Sequence, residues 1–331
     1  MDVSIIIPTF NRRDELNETL DSILEQTIPP IEIIIVDDSD NDEILSLTNE
    51  RKSDFSQKKI NLIFIKNWKK KSSAIARNIG IDEAQGNVIL FLDDDVSLDK
   101  NYIKNILKLY LDNPEAIGVQ GFITNFLIIS RSRYINALAR MFYLGYVSKN
   151  ECKVLASTNL TYPSEVTRII ECQWLSGANQ SYRRDQIDGF RFDENFLKYS
   201  FKEDFDFSYR VYKKYPHSIF LTPDARLIHR VSDTARMQDK LLTYMEYTHS
   251  LYLFFKNFEY NIKNIIIFSW SWLGYLIIAA PGVVMIDLVF NGSKKSLIQH
   301  IYMIEAILFC LKNIKQIEKG NLTALHQKIT Q

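Results

Sequence analysis

Four short apolar runs, each followed by a stretch of helical periodicity, constrain the fold of this chain more than any other feature of its sequence. Residues 3–7 read VSIII, 31–36 IEIIIV, 61–65 NLIFI and 88–92 VILFL. After the first run, Leu16, Leu20, Ile23 and Leu24 recur at helical spacing from about Arg13 to Glu25, until Pro29 and Pro30 break the pattern. A polar stretch, Asp37 to Asp42, and a short helix follow the second run. Ser73 to Ala84, stopping near Gly86, and Asn101 to Leu111 complete the alternation. Strands separated by helices of this size form βαβ units and a mostly parallel sheet. Their unbroken apolar character suits a sheet covered on both faces.

Ligands of such sheets bind at the carboxyl ends of the strands. Pro8-Thr9-Phe10-Asn11 follows the first strand, Asp37-Asp38-Ser39 the second and Asp93-Asp94-Asp95 the fourth. Three adjacent carboxylates repel unless water or a hard cation faces them, and magnesium takes one or two carboxylates together with substrate phosphates. Acids at a turn also suit the start of the next helix. Asp37 and Asp38 fit either an Asx turn or acceptors for a base or ribose. Arg77 and Asn78, beyond Lys69-Lys70-Lys71, could hold a diphosphate; the lysines also read as a solvated surface run. Glu203-Asp204 opens the helical segment EDFDFSYRVYKKY, where an acid serves as a general base or simply stabilises the helix start. His229 closes the apolar run RLIH and reads as a ligand or as an ordinary satisfied histidine.

The 331 residues leave room for one large α/β domain plus an appendage, and 46% of them are apolar. Forty Lys and Arg balance forty Asp and Glu, which argues against a nucleic-acid binder. Cys152, Cys172 and Cys310 are odd in number and lack zinc or CxxC spacing, so a reducing, cytosolic setting is expected. Asp2 and the shortness of the run Val3 to Ile7 speak against a signal peptide. Further along, Tyr134 to Val147 reads as an amphipathic helix, Glu203 to Tyr215 as a clearer one, His217 to Leu221 and Ala225 to His229 as short strands, and Asp239 to Phe258 as a long aromatic helix. Ile265 to Ile286 carries no charge over 22 residues, long enough to span a membrane, although Pro281-Gly282 also permits an in-plane or re-entrant hairpin. Ser296 to Leu311 is apolar but interrupted by Glu305. The expected organisation is an α/β domain over 1–235, with halves 1–122 and 123–235, then a helical membrane-associated region over 236–331 with hydrophobic segments at 262–290 and 296–311.

Taken in order, IIIPTFNR, EIIIVDDS, AIARNIGIDEAQGNVILFLDDDV, WLSGANQSYRR, GFRFDENF, KEDFDFSYRV and PDARLIH resemble the family 2 glycosyltransferases of GT-A fold across about residues 2–230. The resemblance implies an α/β, Rossmann-like sheet and metal-dependent, inverting transfer of a sugar from a nucleotide-sugar donor to an acceptor hydroxyl. It implies that Pro8, Thr9 and Asn11 line the nucleotide pocket, with Asp38 on the base and Asp37 supporting it. Arg77 would lie near the nucleotide or diphosphate and Asp93 toward the ribose, with Asp94 also among the nucleotide-sugar-binding residues. Asp95, together with His229, would meet a divalent cation, Mg or Mn. Asp204 would be the catalytic base, and Trp174, Gly177, Ala178, Asn179 and Glu203 would face the donor sugar and acceptor. The sequence departs from the family pattern before A-R-N, where Lys69-Lys70-Lys71-Ser72-Ser73 replaces a glycine-containing loop. Leu127 to Ser164 matches no family motif. The hydrophobic appendage suggests a glycan or polyprenol-linked acceptor, met on the cytoplasmic side of the cell membrane. Two alternatives are a nucleotidyltransferase, which would need a glycine-rich loop where PTFNRRDE stands, and a catalytically silent membrane scaffold.

Overall fold

The computed structural model describes residues 1–125, 133–148, 150–196, 201–230, 239–279 and 295–325. Strands β1 (Val3–Thr9), β2 (Glu32–Asp37), β3 (Asn61–Lys66) and β4 (Val88–Phe91) are parallel and lie in the order β3-β2-β1-β4. β1, β2 and β4 are buried along their whole length, as their unbroken apolar runs require. β1 and β2 run in register from Ser4 opposite Glu32 to Thr9 opposite Asp37. They therefore end level, which brings Pro8-Thr9 beside Asp37-Asp38.

The helices that return the chain are α1 (Arg13–Leu24), α2 (Glu43–Gln57) and α3 (Ser73–Glu83). The short helix expected after Asp42 is in fact 15 residues long. Its apolar contacts, Ile44, Leu47 and Phe55, are sparse in a charged sequence, so periodicity understates it. The Ser72 hydroxyl accepts from the Ile75 N–H and caps α3. Gly80 lets that helix lie against β1, since a Cβ there would run into the Ile6 side chain.

The sheet continues through β5 (Val96–Leu98), β6 (Gly118–Ile123), β10 (Gln180–Arg183) and β11 (Ile219–His229), giving the order β3-β2-β1-β4-β10-β6-β11-β5. β9 (Ile170–Glu171) adds to β11. β10 is antiparallel to both neighbours, and β5 to β11; the long ladders, β6 with β11 included, are parallel. The two short strands expected at His217–Leu221 and Ala225–His229 are one strand of 11 residues. Its register on β6 shifts between Thr222 and Arg226, around Pro223, which has no N–H to give a ladder. α4 (Tyr102–Asp112) covers this half of the sheet, and α6 (Glu203–Lys214) precedes β11. One apolar core runs from Val3 through Ile35, Leu90 and Ile106 to Leu227.

The described residues divide into two compact units. One draws on Met1–Ile128, Lys149–Cys152 and Ser164–Arg236, the other on Ile129–Ser148, Lys153–Pro163 and Met237–Gln331. In the second unit, α5 (Arg133–Met141) stops short of the helix expected to reach Val147, and Tyr146–Ser148 instead forms β7, paired in parallel with β8 (Thr161–Pro163). Its other helices are α7 (Asp239–Asn257), α8 (Ile262–Gly274) with a π-helical turn at Tyr275–Ala279, α9 (Lys295–Lys312) and α10 (Ile314–Glu318). Phe142 stacks on Trp270 with ring centroids 4.8 Å apart, and Trp270 Nε1 donates to the Met141 carbonyl at 3.0 Å. The segment inserted near residue 140 is thereby packed with helices more than a hundred residues downstream. Among the described residues no helix is long and apolar enough to cross a membrane. The expected span at Ile265 to Ile286 lies partly outside the described residues, from 280 onward. All three cysteines are buried free thiols.

Candidate active site

The carboxyl ends of β1 and β2 build the first corner. The Asp38 N–H donates to the Thr9 carbonyl at 2.9 Å. The Asp38 carboxylate accepts from Asn67 Nδ2 at 2.6 Å and from the Ser72 N–H at 2.8 Å. Burial pushes its pKa up to about 6 against these two hydrogen bonds. Asp37 is fully buried, accepting from the Ser39 N–H at 2.8 Å and pairing with Lys66 at 2.7 Å. Asp37 thus holds the turn, while Asp38 stands at its edge. Asn11, at φ 53°, donates its N–H to Ser39 Oγ at 2.8 Å and ties the two loops together.

The three aspartates after β4 have three different environments. Asp94 is 4% exposed and points into the protein, accepting from Thr9 Oγ1 at 2.8 Å and from Arg12 Nη1 at 3.0 Å. Burial lifts its pKa to about 7, opposed by Arg12 and reinforced by the Asp95 charge. Asp93 and Asp95 flank it and converge with His229 at the end of β11. His229 Nε2 lies 2.9 Å from Asp95 Oδ1 and 4.0 Å from Asp93 Oδ2. Burial pulls the His229 pKa down, but the hydrogen bond to Asp95 and the charges of Asp93 and Asp95 outweigh it and leave the pKa raised. One donor atom from each of the three residues lies within 4.8 Å of the other two. Two carboxylates and an imidazole so arranged fit a divalent cation that accepts oxygen and nitrogen donors.

The third part is the start of α6. The Asp204 carboxylate accepts from the Gly177 N–H at 2.7 Å through Oδ2 and from the Phe205 N–H at 2.7 Å through Oδ1. Burial raises its pKa, opposed by the Gly177 hydrogen bond and the Arg77 charge. Glu203 is 6% exposed and ion-paired with Arg77. Burial lifts the Glu203 pKa to about 8, against the pull of Arg77. The other Arg77 nitrogen, Nη2, lies 2.9 Å from Asp93 Oδ1. Lys202 at the α6 N-cap adopts φ 74°, a left-handed conformation that turns the chain sharply into this corner.

Contacts along the carboxyl edge of the sheet join Asp38, Thr9 and Asp94, and from Asp93, next in the chain, Arg77 leads to Glu203, which adjoins Asp204. Of the other sequence-derived residues, Pro8 sits in β1 opposite Val36. Trp174, Ala178 and Asn179 are buried, with Asn179 Nδ2 donating to the Gly121 carbonyl at 2.8 Å. Ala178 stands behind the acidic turn, its carbonyl accepting from the Asp93 N–H at 3.4 Å. The sequence reading did not single out Arg12, Asn67 and Ser72 as site residues. Arg12 reaches Asp94 and Asp95, 82 and 83 residues away, and no local pattern marks such a partner. Asn78 also works at a distance, exchanging hydrogen bonds of 2.8 and 2.9 Å with the Phe192 backbone.

Residues 4–168 match the model of glycosyl transferase family 2. An uncharacterised glycosyltransferase of Rickettsia felis is 35% identical over 44% of this chain and 23% of its own length. A UDP-Glc:alpha-D-GlcNAc-diphosphoundecaprenol beta-1,3-glucosyltransferase of Escherichia coli is 42% identical over 28% of this chain and 35% of its own. The chain thus spans well under two thirds of the length of these curated relatives. Among solved structures, the mannosyltransferase PcManGT of Pyrobaculum calidifontis, in complex with GDP-Man and Mn2+, superposes with a TM-score of 0.56 at 16% identity, covering 93% of this chain and 86% of that one. That likeness shows the shared fold. The family match covers β1 through the acidic turn and stops before Gly177, Glu203, Asp204 and His229, whose placement comes from the geometry above. With the family model matched over residues 4–168 and the α/β sheet in place, the chain belongs to glycosyl transferase family 2.

Proposed function

We propose that the chain transfers a sugar from a nucleotide-sugar donor to a hydroxyl of a glycan or lipid-linked glycan, with inversion at the anomeric carbon. The observation that carries this reading is the convergence of Asp93, Asp95 and His229 beside an Asp204 that Arg77 and Gly177 tie to the same edge. Asp93, Asp95 and His229 would hold Mg or Mn, which when bound neutralises charge on the leaving diphosphate. Asp38 receives the nucleotide base, with Asp37 behind it, and Pro8, Thr9 and Asn11 line that corner. The segment Trp174 to Asn179 and Glu203 border the donor sugar and acceptor. Asp204, whose proton affinity burial raises, takes the proton of the attacking hydroxyl, and the hydroxyl oxygen forms the new glycosidic bond as the diphosphate departs. The GDP-Man complex of PcManGT and the UDP-Glc donor of the Escherichia coli relative support a nucleotide-sugar donor; the diphosphoundecaprenol acceptor of the latter supports a lipid-linked one.

Association with the cytoplasmic side of the cell membrane belongs to the same proposal. Its support is the row of exposed apolar side chains on α8, Ile262, Ile266, Trp270 and Leu273, and on α9, Leu297, Ile301, Ile304 and Leu308. Fractionation without detergent tests it, and a fully soluble, monodisperse protein would end it.

The central test is a thermal-shift panel of UDP, GDP and their sugars with and without manganese, followed by initial rates on the donor that binds. Asp204→Asn is expected to lower turnover about 10² to 10⁴-fold while leaving donor affinity near wild type. Near-normal transfer by that variant removes the base assignment. Absence of any metal-dependent nucleotide binding removes the whole reading and favours a silent scaffold.

A further inference from the structure

We propose that Arg77 is a positioning residue that fixes the Asp93 and Asp204 carboxylates relative to each other, acting through Glu203 and Gly177 and not by binding the donor diphosphate. This role rests on the glycosyl-transfer reading of the site. Arg77 is 2% exposed, and both of its terminal nitrogens already face protein acceptors. One nitrogen pairs with Glu203; the other meets Asp93 Oδ1 at 2.9 Å and the Gly177 carbonyl at 3.5 Å. The guanidinium carbon lies 5.5 Å from the centre of the Phe192 ring. The neighbouring Asn78 exchanges two hydrogen bonds with the Phe192 backbone, so that ring is itself held in place.

Three elements far apart in sequence meet at this one cation: the turn after β4, the segment before β10 and the start of α6. Gly177 joins them most directly. Its carbonyl faces Arg77, and its N–H holds Asp204 Oδ2 at 2.7 Å. A Cβ at this position would lie 3.2 Å from both Arg77 Nη2 and Asp204 Oδ2, so the base and the arginine both close on the Cα of Gly177. A planar fork can address Glu203, Asp93 and Gly177 together, whereas the single ammonium of lysine cannot. Misplacing a catalytic group by about 1 Å costs on the order of 10²-fold in rate.

The test uses the full chain and compares wild type with Arg77→Lys, Glu203→Gln and the double variant. Donor turnover is measured alongside calorimetric affinity for UDP or GDP, whichever wild type binds, with and without Mn2+. Arg77→Lys is expected to lower kcat about 10²-fold, with KM for the donor and Kd for the nucleoside diphosphate within about threefold of wild type. Glu203→Gln keeps the shape but removes the counter-charge. It is expected to lower kcat in the same sense, and the double variant to lose little more than Arg77→Lys alone. Should Arg77→Lys fail to fold, Glu203→Gln carries the same split between kcat and Kd. A tenfold or larger loss of nucleoside diphosphate affinity with kcat nearly kept, or fully additive effects in the double variant, would overturn the role. Wild type that neither binds a nucleoside diphosphate nor turns over a donor removes the reading of the site, and this role with it. Loss of affinity confined to Arg77→Lys removes this role alone.

Discussion

Two acidic clusters, the aspartate triplet after β4 and the Glu203-Asp204 pair opening α6, follow the same rule from opposite sides of the site. In each, an arginine pairs with a buried acid, Asp94 or Glu203, while an adjacent acid, Asp93 or Asp204, stays partly exposed. Arg12 pairs with Asp94 at 3.0 Å and with the equally buried Asp95 at 3.4 Å, while Asp93 stays partly exposed; Asp93 and Asp95 converge with His229. Arg77 takes Glu203, leaving Asp204 on the backbone of Gly177 and Phe205. The clusters differ in what their arginine also touches. Arg12 stays within the β1–β4 corner, whereas Arg77 reaches across to Asp93 and links the two clusters. Adjacent acids thus differ in burial and in the set of groups that pairs with each.

Removing the inward acid of the first cluster is the strongest way to break this comparison. Asp94→Ala leaves Arg12 and Thr9 without their shared acceptor in a buried corner. Since Arg12 keeps its contact with Asp95 at 3.4 Å, a loss of about 3 kcal/mol is expected in denaturant unfolding, the low end for a broken buried pair. A change below about 1 kcal/mol would show that Asp94 is solvated and the difference in burial illusory.

Asp38 tests the same logic through pH. Its folded pKa of about 6 lies above the ordinary value of 3.8, so the folded protein keeps a proton that the unfolded chain has released. Its contribution to stability is therefore greatest at low pH and falls as pH rises from about 4 to 6. Asp38→Asn is expected to flatten that slope by roughly 1–3 kcal/mol across the window, read from unfolding curves at stepped pH. An unchanged slope would refute the shift.

Gly177→Ala sharpens the comparison at the second cluster. The added methyl at 3.2 Å from Arg77 and Asp204 must move one of them by a few tenths of an ångström, and turnover is expected to drop about tenfold with little change in melting temperature. The smallest effect is expected at Arg13, next in sequence to Arg12 but paired with Glu50 at the surface, with side chains 36% and 58% exposed. Arg13→Ala should cost less than about 1 kcal/mol, and a loss matching that of Asp94→Ala would erase the distinction between buried and exposed pairs.

Much of the first half was legible because its signals are local. Unbroken runs such as IEIIIV read as buried strands, and the level ends of β1 and β2 then bring Thr9 beside Asp38. The rest was illegible wherever an element owes its form to distant partners. β10 has a polar sequence, QSYR, and exists because β4 and β6 flank it. α5 stops at Met141 and yields to β7, which pairs with residues 161–163, and Phe142 beyond it stacks on Trp270; no window of sequence around Tyr134 contains these partners.

The sequence by itself determined the alternation of strand and helix, the acids at the carboxyl ends of the strands and the membership of a family. Only the tertiary structure decided that Asp94 and Glu203 face inward, that Asp93, Asp95 and His229 meet, and that Arg77 joins two clusters 110 positions apart, from Asp93 to Glu203. The physical reason is range. Periodicity and turn chemistry act over a few residues, whereas the fate of a charge is set by desolvation and by whichever counter-charge the fold brings within a few ångströms.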